Sequence, residues 1–323
     1  MVWKMKIDKI LNLTRQGHIS KRACWQIMRD KFIQLKEYQK LVSLTRGCAG
    51  IHLQNDGIVY EAEGGAKLFF DFDEMPISRA EVMLCQFEQE SWEFIESLIP
   101  ENGTVLDIGA NVGWFTIRLA NKYPEVNIYS FEPVPATYAK MKKNLLLNGI
   151  SEISNQGGHV YIINAGLYDK DGESTIFVPG SSEASSLQPI NDKFYLRDDN
   201  EGQNRISCMI KTMDTFVKEN DIKSLDFIKC DTEGAEKMVF LGAQHVLKKL
   251  KPMVYTEMLR KHAERFGYHP NEIIEYFKEY DYDCYREENG HLIKFTFMDD
   301  RTEETNFFFL HKEKHVNVIE RFT

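Results

Sequence analysis

An acidic stretch in the second half of the chain carries the side chains that are best suited to proton transfer. It reads DTEGAE over residues 231–236 and directly follows an apolar run that is typical of a buried strand. Ligands of α/β proteins bind at the carboxyl ends of the strands, so acids at this position should face a cleft. A second apolar run ends in the same way, at Glu257, and is followed by His262. Because carboxylates and imidazoles can remove the proton of a hydroxyl group, the candidate catalytic residues are Asp231, Glu233, Glu257 and His262.

Each of these acids and bases also has a purely structural interpretation. Among these residues, Asp231 is the one for which a functional role is favoured most, because a charged group directly after a buried strand costs free energy unless something compensates it. Glu257 could instead pair with a neighbouring basic residue, His262 could lie on the surface, and Glu236 could be a helix N-terminal acid that the helix dipole favours. Together the acids could also hold a divalent cation such as Mg²⁺, which prefers hard oxygen ligands; the pattern leaves the presence of a metal open.

A glycine-containing turn precedes the acidic stretch and has the form of a nucleoside-binding site. The segment VLDIGANVGWF covers residues 105–115, and its spacing predicts a buried strand to Asp107, a tight turn on Gly109 and a helix that opens near Gly113. The N-terminus of a helix offers unpaired N–H groups to an anionic ligand group. Glu132 ends the next apolar run, nineteen residues after Gly113, where an acid can accept the hydroxyl protons of a ribose.

The form of this turn favours one class of nucleoside cofactor. A dinucleotide fingerprint reads G-x-G-x-x-G, whereas here the spacing is G-x-x-x-G and Trp114 stands where a third glycine would be. The turn therefore argues against a nicotinamide dehydrogenase and resembles that of Rossmann-like methyltransferases that use S-adenosyl-L-methionine (SAM). A third strand should end at Asn164, which we expect to reach the adenine. The candidate cofactor-binding residues are Asp107, Gly109, Asn111, Gly113, Glu132, Asn164 and Ala165.

Composition excludes several classes of protein. The net charge of −9 argues against a nucleic-acid binder, which needs a large basic surface. Six scattered cysteines without a C-x-x-C pair argue against a disulfide framework and a zinc ribbon. The chain has no long uncharged apolar run and no signal-peptide pattern at its N-terminus. We therefore expect a cytoplasmic protein without a transmembrane segment.

The charge is unevenly distributed along the chain. Residues 1–46 hold eleven Lys and Arg against three acids, a balance of +8, so the remainder carries −17. This segment has helical periodicity, which places five apolar residues on one predicted face: Trp25, Met28, Phe32, Leu35 and Val42. It could dock on an acidic partner or a lipid surface. The interpretation that we favour is a helical layer whose charges face water or pair with the acidic body.

The order of the predicted elements indicates the architecture. Two N-terminal helices that break near Gly17 are followed over Ile51–Phe72 by β-rich pieces with hairpin turn signals. A helix over Arg79–Ile99 then opens a strand–helix alternation that is typical of a parallel sheet covered on both faces. We predict a Rossmann-like, doubly wound α/β sheet of seven strands with a closing antiparallel hairpin near Leu292–Met298 and Asn306–Leu310. Residues 1–78 are then an accessory segment, and residues 79–323 are the catalytic domain.

One polar segment is too long to be an ordinary connection. Residues 180–205 are rich in serine and aspartate and lie between two β segments. Long loops of this kind inside compact domains often close over a binding site. We expect this excursion to cover the acceptor.

Over residues 104–258 the sequence resembles the FkbM-type family of SAM-dependent methyltransferases. The matching pieces occur in family order: VLDIGANVGWFTIRLA, FEPVPATYAKMKKNLLLN, NAGLYDKDG, IKTMDTF, LDFIKCDTEGAEKMVFLGA and KPMVYTEM. One departure is Cys230, where an aliphatic residue is more usual. The resemblance implies O-methylation of a hydroxyl group on a sugar, glycan or polyketide-like small molecule, with a place in polysaccharide biosynthesis. N- or protein-directed methylation, or a catalytically silent nucleoside-binding subunit of a glycan-assembly complex, are the alternatives.

Overall fold

The computed structural model describes residues 7–44, 48–54, 57–71, 89–151, 159–178, 185–189 and 204–323. The predicted domain boundary at 78/79, the first half of the predicted helix 79–99 and most of the 180–205 excursion lie outside these residues. Two helices begin the described chain, α1 (Ile7–Arg15) and α2 (Lys21–Leu44), and the predicted break between them is present at Gly17. No helix in the described ranges combines the length and the hydrophobicity that a membrane crossing requires.

A small antiparallel sheet follows these helices, as the hairpin signals predict. Its strands are β1 (Cys48–Leu53), β2 (Gly57–Ala62) and β3 (Lys67–Asp71). The turn between β2 and β3 places Gly64 and Gly65 at φ values of 94° and 86°, a region that only glycine occupies readily.

The central part of the chain alternates helices and strands. Its elements are α3 (Gln89–Leu98), β4 (Thr104–Ile108), α4 (Trp114–Lys122), β5 (Asn127–Phe131), α5 (Pro135–Leu147) and β6 (Val160–Ile163). A second small sheet then forms from β7 (Gly166–Leu167), β8 (Gly172–Val178) and β9 (Asn204–Lys211). The excursion joins β8 to β9.

The C-terminal part completes the main sheet and covers its second face. Its elements are α6 (Met213–Glu219), β10 (Phe227–Cys230), α7 (Glu236–Leu241), a π-helical turn (Val246–Leu250), β11 (Met253–Glu257), α8 (Arg260–Arg265), α9 (Asn271–Lys278), β12 (Tyr282–Glu288), β13 (His291–Phe295), β14 (Asn306–His311) and α10 (Val316–Phe322).

The main sheet has the order β13-β12-β14-β11-β10-β4-β5-β6. In this order the strands β11, β10, β4, β5 and β6 run parallel to one another. The strands β14, β12 and β13 run antiparallel to the strands with which they pair. The mixed α/β, Rossmann-like architecture is therefore confirmed.

Two details of the sheet differ from the prediction. Within the described residues the sheet has eight strands. The two strands predicted as a closing hairpin do not pair with each other, because β14 lies between β11 and β12. The hairpin consists of β12 and β13, joined at Asn289 and Gly290, both with positive φ. The sequence of β12 is rich in charged residues and therefore does not look like a strand. The Asn-Gly pair that follows it is nevertheless a strong hairpin signal.

Apolar residues of the central strands point alternately to two cores. Val105, Ile128 and Phe227 pack with α4 on one face, and the neighbouring residues Leu106 and Ile228 pack with α7 and α9 on the other. All five side chains are fully buried, as a parallel sheet covered on both faces requires.

The first small sheet belongs to the same hydrophobic core as the main sheet. Leu68 and Phe70 of β3 are buried and share a core with Trp114 and Met141. The strand is also held by hydrogen bonds, because the amide nitrogen of Lys67 donates to Asn148 Oδ1 at 2.8 Å. Residues 48–71 thus pack directly on the elements that carry the glycine turn.

The predicted apolar face of α2 is not buried. Trp25 and Phe32 are 65% and 68% exposed, and Met28 is also exposed. Ile27, on the opposite side of α2, is the residue of this helix whose described side chain is buried. At its described positions the Trp25 face is therefore turned to solvent, while the side chains of Leu35 and Val42 lie outside the described set.

Candidate active site

A cavity of 380 Å³ opens at the carboxyl ends of the central parallel strands. This volume lies in the range that small-molecule sites usually have, about 300–1,000 Å³. Its walls include the glycine turn, the end of β5, the strand β7, the acidic loop after β10 and the strand β3. The location is the one that the sequence predicts for ligand binding.

The glycine turn uses most of its backbone amides to hold its own shape. The N–H groups of Gly109 and Ala110 both donate to the carbonyl of Phe131, at 3.1 and 2.9 Å. The N–H of Gly113 donates to the carbonyl of Ala110, and that of Asn111 donates to the carboxylate of Glu132. The expected row of unpaired N–H groups for an anionic ligand is therefore not found at these four positions.

Gly109 is required by a close approach of two loops. Its φ is 77°, and a Cβ added here would lie 1.8 Å from the carbonyl oxygen of Asp231. The turn and the acidic loop thus touch through their backbones. A side chain at residue 109 is therefore excluded by the protein itself and not only by a bound ligand.

Glu132 is buried at the end of β5 and lines the cavity. Its two carboxylate oxygens accept the N–H groups of Asn111 and Val134, at 3.1 and 2.8 Å. Burial raises the pKa of Glu132 to about 7, and the two N–H donors lower it in part. Each carboxylate oxygen can accept more than one hydrogen bond, so the group can still accept from ribose hydroxyls.

Asp107 lies beneath the cavity and does not line it. It is fully buried, and its Oδ2 accepts a hydrogen bond from Thr116 at 2.6 Å. Its Oδ1 lies 3.9 Å from Lys229 Nζ. Burial raises the pKa of Asp107, and the lysine opposes this shift. The geometry gives Asp107 a supporting position under the turn.

Lys229 brings a positive charge into the site, and the sequence analysis did not single it out. It is buried in β10, its Nζ lies 3.3 Å from Asp231 Oδ2, and it donates to the carbonyl of Gly109 at 3.4 Å. A lysine inside a short buried strand is a signal in itself, because buried lysines are rare unless they are paired. Lys229 thus connects the strand end at Asp231 with the glycine turn.

The acidic loop and α8 form a cluster of three ionisable groups. His262 is 4% exposed, and its Nδ1 lies 3.2 Å from Glu233 Oε2 and 3.3 Å from Glu257 Oε2. Burial raises the pKa of Glu233 to about 8, although His262 lowers it in part. Burial lowers the pKa of His262. Both shifts favour the uncharged forms of these two groups.

The four candidate catalytic residues thus lie together. Asp231, Glu233 and Glu257 line the cavity, and His262 lies behind the two glutamates. Glu233 adopts a left-handed backbone conformation with φ of 56°, which is uncommon for a residue with a side chain and often marks functional sites.

Glu236 holds the acidic loop in shape. Its Oε1 accepts the N–H groups of Thr232 and Gly234, at 2.8 and 3.2 Å, and its Oε2 accepts the hydroxyl of Tyr268. One oxygen each of Asp231, Glu236 and Glu257 lie within 4.8 Å of one another, a spacing compatible with a metal ion. Because Oε1 of Glu236 already accepts three hydrogen bonds, two from Thr232 and one from Gly234, this donor set fits a Mg²⁺ ion poorly.

Besides Asp107, three predicted cofactor residues lie beside the cavity rather than in its wall. Asn164 donates from Nδ2 to the carbonyls of Glu132 and Pro133, at 2.9 and 3.3 Å. It and Ala165 hold the turn after β6, and the next two residues, Gly166 and Leu167, line the cavity. Gly113 is the N-cap of α4 and also stands outside the lining.

Other parts of the wall come from segments to which no site residue had been assigned. Leu68 and Phe70 of β3 and Trp114 of α4 form an apolar surface beside the turn. Ser185 and Leu187 of the excursion also line the cavity, which agrees with the expected location of that loop. Hydrogen bonds of 2.7 and 3.0 Å between Ser186 and Phe177 hold it against β8.

The residues around the turn fit an adenosine-containing cofactor. Two buried polar atoms beside the turn, Asn111 Oδ1 and Trp114 Nε1, have no hydrogen-bond partner within the part of the chain that the structure describes. Buried polar groups usually have partners, so such atoms indicate a polar ligand. Together with Glu132 they offer two acceptors and one donor in the same wall.

Comparison with known proteins also indicates a methyltransferase. Residues 107–284 match the Methyltransferase FkbM domain. "Methyltransferase 1" from Beauveria bassiana is 26% identical over 152 residues, which are 44% of this chain and 59% of that protein. "AMB antimetabolite synthetase AmbE" from Pseudomonas aeruginosa is 25% identical over 199 residues, 53% of this chain and 9% of that protein. The chain thus spans well under two thirds of these two relatives.

A third relative and a solved structure complete the comparison. "2-O-methyltransferase NoeI" from Sinorhizobium fredii is 25% identical over 171 residues, which are 51% of this chain and 67% of that protein. The crystal structure of "Methyltransferase FkbM" from Methylobacillus flagellatus has 13% identity and a TM-score of 0.43, covering 71% of this chain and 52% of that one. The domain match covers more than half of the chain and includes both the glycine turn and the acidic loop. The chain therefore belongs to the FkbM family of methyltransferases.

Proposed function

We propose that this chain is a SAM-dependent O-methyltransferase that acts on a hydroxyl group of a sugar, glycan or related small molecule. One observation carries the proposal: the carboxylates of Asp231, Glu233 and Glu257 line the same cavity as the glycine turn and Glu132. A nucleoside site and a proton-accepting site thus share one space. The likeness to a protein named 2-O-methyltransferase supports the choice of a hydroxyl acceptor.

Glu132, Asn111 and the glycine turn would hold the cofactor. Glu132 would accept the ribose hydroxyls, and Asn111 Oδ1 would accept a further donor of the ligand. When bound, SAM supplies the methyl group that is transferred. The task that remains for the protein is to orient the acceptor oxygen and to take its proton.

Asp231 is the proposed base. Its side chain is 32% exposed to the cavity, and the neighbouring Lys229 provides a counter-charge at 3.3 Å. Glu233 carries a proton at neutral pH, because its pKa is raised to about 8, and it is therefore suited to donate a hydrogen bond. Because their environments differ, Asp231 would act as the base and Glu233 as the hydrogen-bond donor. His262, which is itself held by Glu257, positions Glu233 from behind.

The proposal is tested in two steps with the full chain. Calorimetry should detect S-adenosylhomocysteine binding at micromolar strength, about −8 kcal/mol, and no NAD binding. A panel of sugars, oligosaccharides, amines and peptides is then screened with methyl-labelled SAM. Label transfer to a hydroxyl compound supports the proposal. Transfer only to amines or peptides would contradict it, and cofactor binding without any transfer would favour a silent binding subunit.

The role of Asp231 is tested separately with the accepted substrate. Asp231→Asn keeps the shape of the side chain and removes its basicity, so kcat should fall by about 10²–10⁴. Affinity for S-adenosylhomocysteine should change little, because Glu132 and Asn111 are untouched. Asp169→Asn, an exposed aspartate away from the cavity, is the control. An unchanged kcat in Asp231→Asn would move the base to another carboxylate.

A further inference from the structure

The two N-terminal helices present an apolar surface to solvent. Within the described ranges, six of the thirteen large apolar side chains that are exposed lie on α1 and α2. They are Ile7, Leu11, Trp25, Met28, Phe32 and Ile33. Because folded proteins rarely leave such side chains clustered in water, this surface needs an occupant.

The exposed side of α2 combines aromatic and basic residues. Trp25, Met28 and Phe32 follow one another at helical spacing, so they share one face. Three basic residues lie one turn from these aromatic residues on the same side, and all are exposed: Lys21, Arg29 and Lys36. We call these six residues the basic aromatic face.

The acidic residues are absent from this face. The Arg29 guanidinium lies 6.0 Å from the centre of the Trp25 ring, close enough for a cation–π contact. Asp30 lies on the other side of the helix and is half-buried. The apolar residues that α1 and α2 bury, Ile10 and Ile27, point away from it. Among the described side chains of α2, this face therefore carries only basic and apolar residues, while Ile27 packs on the protein from the other side.

We infer that the basic aromatic face binds the surface of a membrane that contains anionic lipids. Trp and Phe side chains on a helix enter the boundary between headgroups and acyl chains, while Lys and Arg reach lipid phosphates beside them. The exposed rings of Trp25 and Phe32 are large enough to enter this boundary, with Lys21, Arg29 and Lys36 beside them.

The distribution of charge favours the same occupant. Residues 1–46 carry +8 and the rest of the chain −17, so an anionic surface is attracted by this segment and repelled by the remainder. Contact through the basic aromatic face therefore also fixes the orientation of the protein. This binding is peripheral and independent of the methyl-transfer reaction.

The test uses vesicles and the full chain. Sedimentation with vesicles of phosphatidylserine and phosphatidylcholine should capture the protein, and vesicles of phosphatidylcholine alone should bind it at least about tenfold less. Binding should weaken as salt rises, because surface electrostatics are screened. The double variant Trp25→Ala/Phe32→Ala and the double variant Arg29→Glu/Lys36→Glu should each lower binding about tenfold or more.

Phe297→Ala is the matched control, because Phe297 is 66% exposed on a different part of the chain. It should bind vesicles like the unchanged protein. All variants should keep their melting temperature and their affinity for S-adenosylhomocysteine. Equal binding of all variants, or no binding at low salt, would overturn the inference. A dimer of the unchanged protein that Trp25→Ala/Phe32→Ala converts to a monomer would also overturn it, because a second copy would then cover the face.

Discussion

Asn144 joins β3 to the glycine turn, since its Oδ1 accepts the N–H of Phe69 at 2.9 Å. The same side chain donates from Nδ2 to the carbonyl of Val112 at 2.9 Å. Asn144 is 1% exposed, so both bonds are shielded from water. One amide thus couples a strand of the N-terminal sheet to the loop that would hold the cofactor.

Asn144→Asp should separate the two functions of this side chain. The carboxylate can still accept from Phe69 but can no longer donate to Val112, and a buried carbonyl loses its partner. Such a loss costs about 1–3 kcal/mol. We expect affinity for S-adenosylhomocysteine to fall about tenfold in calorimetry. Asn148→Ala, which loosens β3 without touching the turn, should lower the melting temperature and leave this affinity unchanged. If Asn144→Asp and Asn148→Ala lost the same affinity for S-adenosylhomocysteine, the loss could not come from the bond between Asn144 and the glycine turn.

Glu233 should give the enzyme a decline in activity at alkaline pH. If its protonated form assists Asp231, kcat/KM falls as pH rises through about 8, the raised pKa of this group. Glu233→Gln imitates the protonated form, so it should keep activity within a few-fold at pH 7 and lose the alkaline decline. The measurement is a pH–rate profile of both proteins with the accepted substrate. A rate that rises through pH 8, together with an inactive Glu233→Gln, would show that Glu233 is the base.

Glu132 should make the ligand-free protein less stable as pH rises. Its pKa is about 7 in the folded protein and near 4.5 when exposed, so the folded state binds a proton that the unfolded state lacks between these values. The free energy of unfolding therefore falls between pH 4.5 and 7, by about 3 kcal/mol from this group, and stays level above. Glu132→Gln should remove this part of the pH dependence in thermal melts. It should also weaken S-adenosylhomocysteine binding, since Gln is a poorer acceptor for ribose hydroxyls. Parallel melting curves of the two proteins across this range would refute the assignment.

Gly109→Ala should damage the fold as well as the site. The added Cβ meets the carbonyl of Asp231 at 1.8 Å, and backbone atoms cannot yield as a flexible side chain can. We expect a loss of at least about 2 kcal/mol in the free energy of unfolding, measured by chemical denaturation. Gly113→Ala meets Cγ of the Met141 side chain at 2.9 Å, a longer distance and a side-chain atom rather than backbone, and should cost less, although its positive φ is also unfavourable. The reverse order of the two losses would argue against the contact at Asp231.

The sequence predicts most of the parallel core because each strand there is a continuous apolar run between clear turn signals. It also predicts that Asp231, Glu233 and Glu257 meet, because strand ends converge at one edge of such a sheet, whereas it left His262 open to a position on the surface. The contact between Glu233 and His262 could not be derived, since it depends on how α8 packs against the acidic loop. Periodicity likewise identified β3 as a strand but could not show that Leu68 and Phe70 face the cavity. The sequence shows a lysine within the short apolar strand β10, but the contacts of Lys229 with Asp107 and Asp231 depend on the fold.

Leu68 and Phe70 precede the family domain, whose match begins at residue 107, yet both line the cavity. They also share a hydrophobic core with Trp114, so a change at either position alters the apolar wall beside the glycine turn and the packing behind it. The family domain alone therefore does not complete the cavity, because part of the cavity wall comes from β3.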